Sequence, residues 1–67
     1  MRDWLKETRT ERGLTMAQMA ERLDITESYY SLIESGERQK KMDISFAWKL
    51  SQVLSVPVDR IVEMEGK

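Results

Sequence analysis

The sequence predicts an all-α fold, a compact five-helix bundle, on three observations. Helix-forming residues dominate the 67-residue chain. Runs of β-branched residues with period-two alternation are missing. Apolar residues recur instead at spacings of three and four, punctuated by capping residues and by glycines. A chain of this length forms one domain, positions 1–67, around one small core.

The first helix is expected over about 2–12, ending at Gly13, a residue suited to the left-handed position after a helix. Trp4, Leu5 and Thr8 form its inward stripe, with Arg9 at the edge. The second covers 15–23. Thr15 and Gln18 make a capping-box pair, in which each side chain meets an orphan amide of the other residue. Met16, Met19, Ala20 and Leu23 follow the i, i+3, i+4, i+7 spacing of a buried face, and Ala20 is small where two helices cross. Asp24 and Ile25 form the turn, with Ile25 inward, and Thr26 caps the next helix.

The third helix, 27–35, stops at Gly36. Tyr30 and Ile33 face the core, while Ser28, Ser31, Leu32 and Ser35 lie opposite. That second face is small and polar with one isolated leucine, the shape of a helix that packs from behind and fits a groove in front. The groove it suits is the major groove of DNA. A loop over 37–42 leads to Asp43 as N-cap of a fourth helix reaching about Leu54, with Ile44, Ala47, Leu50 and Leu54 inward. Pro57 fits the first turn of a short fifth helix ending near Glu63, where its missing N–H costs nothing; Val56, Ile61 and Val62 close the core.

Composition narrows the function. With no cysteine, neither a disulfide nor a thiolate metal site supports the fold. With no histidine, the commonest general base and metal ligand are gone, and the short chain leaves little room for a pocket, so an enzyme is not expected. No cofactor or small-molecule substrate is implied. There is no apolar run of transmembrane length and no signal-peptide core, which points to a cytoplasmic protein without a membrane partner. The net charge of −1 predicts modest non-specific affinity for nucleic acid. Its distribution says more, because Arg38, Lys40 and Lys41 form a local basic patch while Asp59, Glu63 and Glu65 sit near the end.

The pattern RxxxGLTxxxMAxxLxIxxSYYSxIExG, from Arg9 to Gly36, resembles the Xre, or Cro-and-repressor, class of helix-turn-helix transcriptional regulators of phages and bacteria. The likeness extends from Leu5 to about Glu63 and implies a lambda-repressor-like DNA-binding domain. Departures are visible. Asp24 stands where the turn usually has glycine, Thr8 where a leucine precedes the helix-one arginine, and Met16 where a glutamine anchors helix two to DNA. A proline usual in the loop before helix four is also missing.

The resemblance implies that Glu27, Ser28 and Leu32 read base edges: a carboxylate can accept from a cytosine amino group, a hydroxyl can donate or accept, and an aliphatic chain can meet a thymine methyl. Thr15, Met16, Gln18, Tyr29, Arg38, Gln39, Lys40 and Lys41 are expected at phosphates, which position a protein without carrying sequence information. Arg9 and Glu34 match a structural ion pair of the class. Phe46, Val53, Val58 and Met64 are apolar positions outside the assigned core; gathered on helices four and five they predict an isologous dimer interface.

The expected function is therefore a regulator, mainly a repressor, that binds double-stranded DNA at a palindromic operator as a homodimer. The alternative is a protein-interaction helix-turn-helix module, antitoxin-like or adaptor-like. Steep salt dependence of binding marks the first reading, and insensitivity to salt the second.

Overall fold

Three helices in this chain begin where a side chain takes up an orphan amide of the first turn. The computed structural model describes residues 1–66. Its helices are α1 (Asp3–Glu11), α2 (Met16–Leu23), α3 (Glu27–Ser35), α4 (Ile44–Leu54) and α5 (Val58–Glu65), with no strand among the described residues. Thr15 Oγ1 accepts from the Gln18 amide at 3.1 Å, and Gln18 Oε1 accepts from the Thr15 amide at 2.8 Å. Thr26 Oγ1 accepts from the Tyr29 amide at 3.1 Å, and Asp43 Oδ1 from the Phe46 amide at 2.8 Å. The Phe46 amide, with the Ser45 hydroxyl, holds the Asp43 carboxyl below the usual carboxylate range.

α2, α3 and α4 end where the backbone turns left-handed. Gly36 closes α3 at φ +90°, at no steric cost. Asp24, in the position where glycine is usual, closes α2 at φ +60° and ψ +44°. Gln39 and Ser55 also have positive φ. Pro57 stands one position before α5 rather than inside its first turn, and α5 runs on to Glu65.

α2 packs on α3 and α4, α4 on α5, and α1 on α3. Between them lies a single core in which Leu5, Met19, Tyr30, Ile33, Leu50, Leu54 and Ile61 are fully buried. Leu23, Ala20, Ala47, Leu14 and Phe46 complete it, and Trp4, Met16, Ile25 and Val56 pack against its margin.

Three expectations are corrected here. Ile44 is 62% exposed and Val62 52% exposed, where the spacing predicts both inward; Phe46, predicted outside the core, is 7% exposed and belongs to it. The reason is helical phase. Each residue turns the side chain by about 100°, so a stripe centred on Leu50 and Leu54 takes in Phe46 on its flank and leaves Ile44 well to one side. Val62 is turned away by the same step from the buried Ile61.

Candidate nucleic-acid interface

The helix-turn-helix unit is α2, the Asp24–Ile25 turn and α3. Two bonds set the angle between its helices: the Ile25 amide donates to Ala20 O at 2.9 Å, and the Asp24 amide to Glu21 O at 3.2 Å. Tyr30 and Ile33 hold α3 from behind, both fully buried. On the opposite side Glu27, Ser28, Ser31 and Ser35 are exposed and Leu32 is half-buried. Met16 of α2 joins Glu27, Ser28, Ser31 and Leu32 in one shallow groove. The outer face of α3 thus offers a carboxylate, two free-standing hydroxyl positions and an aliphatic patch. Ser35 is different, because its hydroxyl is turned back onto Leu32 O at 2.9 Å.

Around this face the remaining residues fall into place with different freedom. Thr15 and Gln18 are exposed, but Thr15 Oγ1 and Gln18 Oε1 are engaged with each other's amides. Tyr29 is half-buried and packs against the core. Arg38, Lys40 and Lys41 are exposed in the loop after α3. Gln39 is half-buried, and its Oε1 accepts from the Asp43 amide at 3.2 Å, so its side chain braces the loop. Val53, Val58 and Met64 are half-buried and pack against the core.

Arg9 and Glu34 meet as a buried bidentate pair between α1 and α3. Arg9 Nε donates to Glu34 Oε2 at 3.1 Å and Nη2 to Oε1 at 3.3 Å, while Nη1 donates to Leu14 O at 2.8 Å. The Glu34 carboxylate raises the Arg9 pKa against the opposing effect of burial. Beside the pair, the Tyr30 hydroxyl is buried and makes no hydrogen bond. Burial, and then the nearby Glu34 carboxylate, push the Tyr30 pKa above the ordinary phenol range.

Two arginines that sequence reasoning passed over are structural. Arg12 Nε donates to Leu54 O at 2.8 Å and so caps the end of α4. Arg2, only 7% exposed, pairs with Glu65 of α5 and donates to carbonyls at the end of α3 and in the following loop. Trp4 Nε1 adds a bond to Glu65 Oε1 at 3.1 Å. No local pattern announces a pair separated by almost the whole chain.

A left-handed turn between two capped helices, with a polar outer face on the second and a basic loop behind it, defines a helix-turn-helix protein. Residues 5–61 match the helix-turn-helix family, and the chain belongs to it, in its Xre-like class. Among relatives, it is 40% identical over 45 residues to the uncharacterized HTH-type transcriptional regulator YqaF of Bacillus subtilis. That match takes in 67% of this chain and 59% of the relative, so the chain spans about three-fifths of that protein's length. No solved structure matches significantly.

Proposed function

We propose that this chain is a sequence-specific DNA-binding transcriptional regulator that acts as a homodimer on a palindromic operator and mainly represses. α3 enters the major groove. Glu27, Ser28 and Leu32 read base edges there, and Thr15, Met16, Gln18, Tyr29, Arg38, Gln39, Lys40 and Lys41 lie along the flanking phosphates. The observation that carries this reading is the groove that Met16 shares with Glu27, Ser28, Ser31 and Leu32, with exposed cations in the next loop. A regulator of this kind works in the cytoplasm, and no described helix is long and apolar enough to cross a membrane.

A dimer answers the short reach of one recognition helix, because two related by a twofold axis read half-sites about 34 Å apart. Phe46 is taken up in the core, and Val53, Val58 and Met64 pack against it. The dimer contact therefore shifts to Ile44, Trp48 and Val62, the exposed large apolar residues of the same two helices. The groove between the basic loop, α4 and α5, lined by Met42, Ile44, Ala47, Ile61 and Val62, favours a second reading, a module that docks another protein.

Selection of bound sequences from random duplex DNA at near-physiological salt tests the proposal. It predicts enrichment of an inverted repeat whose binding weakens steeply with added salt. Absence of any enriched sequence would favour the protein-docking module.

A further inference from the structure

The loop that follows α3 holds a strained residue and is braced from two distant parts of the chain. Gln39 adopts φ +54°, a left-handed conformation that a residue with a Cβ keeps only when its surroundings enforce it. Arg2 holds the carbonyls on either side of it. Its Nη1 donates to Ile33 O and, at 3.0 Å, to Arg38 O, and its Nη2 donates to Gln39 O. The other edge of the guanidinium is held by Glu65, through Nε at 2.9 and 3.0 Å and Nη2 at 2.7 Å. The backbone joins in, since the Arg2 amide donates to Glu34 O at 2.8 Å. Lys40 lines the same recess as Arg2, Trp4 and Glu65.

We infer that Arg2 is a positioning residue for DNA binding: clamped by Glu65, its guanidinium fixes the carbonyls of Ile33, Arg38 and Gln39 and so sets the loop from which Arg38, Lys40 and Lys41 reach the phosphates. This rests on the DNA-binding reading above. A planar fork with several fixed donors can serve three carbonyls and one carboxylate at once, which an ammonium on a flexible stem cannot. Arg2 is too buried to touch a duplex itself, so its effect on binding passes through the loop. The clamp also makes the end of α5 part of the same unit as the end of the recognition helix.

The test uses Arg2→Gln/Glu65→Gln, which leaves the net charge unchanged, with Arg2→Lys as the conservative variant. Amide exchange by NMR reads the loop without DNA. The Glu37 and Arg38 amides, both bonded to Leu32 O, should lose about tenfold or more of their protection relative to the core amide of Met19. Arg2→Lys, which keeps the cation and the contact with Glu65, should restore part of it and also serves where the double variant folds poorly. Binding to a mixed-sequence DNA duplex across a salt series is the second readout. The double variant should bind more weakly and flatten the salt slope by about one to two units, as loop cations lose their phosphates.

Unchanged loop protection overturns the clamp, and a loosened loop with an unaltered salt slope overturns the positioning role. A parent protein that binds no duplex at any salt instead overturns the DNA reading, and the positioning role with it, while the exchange data still decide whether Arg2 holds the loop.

Discussion

Glu34→Ala removes the acceptor on which Arg9 depends. Glu34 is 1% exposed and Arg9 7%, so truncation leaves a guanidinium in the interior with Nε and Nη2 unpartnered and only the bond to Leu14 O intact. Removing one member of a buried pair costs about 3–5 kcal/mol, because the surviving charge cannot return to water without disrupting its neighbours. A domain of this size has about 3–10 kcal/mol of stability in all. The variant should therefore be largely unfolded, or close to it, at 37 °C. Urea unfolding followed by tryptophan fluorescence measures the loss as a lower midpoint at constant slope. Glu34→Gln, which keeps the volume and one acceptor, should fall between. Arg9→Met/Glu34→Leu should recover most of the loss, since a buried pair adds little over apolar residues of similar size. A Glu34→Ala unfolding free energy within about 0.5 kcal/mol of the parent refutes the reasoning.

Other consequences are measurable in the same way. Tyr30→Phe removes a hydroxyl that is buried without a partner and should leave stability unchanged or raise it by up to about 1 kcal/mol; a loss beyond that would mean the hydroxyl bonds the ion pair. Because the Tyr30 pKa is raised in the folded state, its contribution is complete below pH 10 and is lost as alkali ionises the unfolded chain. In a Tyr29→Phe background, phenolate absorbance should thus rise together with unfolding, and a titration that precedes unfolding contradicts the burial argument. Asp24→Gly relieves the left-handed turn and should raise stability by about 0.5–1 kcal/mol, seen as a melting temperature higher by about 2–8 °C. Lys40→Ala should weaken binding to all DNA sequences about equally and flatten the salt slope by about one unit.

The parts of the fold written in local chemistry were legible. Thr15 with Gln18, Thr26 and Asp43 mark helix starts because a cap needs only residues three apart. The stripe Met19, Ala20 and Leu23 and the Tyr30–Ile33 face follow from helical periodicity alone. α4 was harder, since Ile44, Phe46, Ala47 and Trp48 are all apolar and periodicity cannot choose among them. Packing against α2 and α5 made the choice, burying Phe46 and leaving Ile44 and Trp48 outside. The candidate interface shows the same divide. The outward serines of α3 can be read from spacing, whereas Arg2 looks like an ordinary terminal cation until the fold brings Glu65 to it. The Gln39 conformation likewise has no local signature, since its carbonyl is met by a guanidinium from the other end of the chain.

That the outer face of α3 reads bases is tested most directly by measuring affinities of Leu32→Ala and the parent across every single-base change in a selected site. A side chain packed on a base edge should shift preference at one position of each half-site, by about 1–3 kcal/mol, and leave the others in their original order. Uniform weakening at all positions, or no change at any, would contradict the placement of this helix in the major groove.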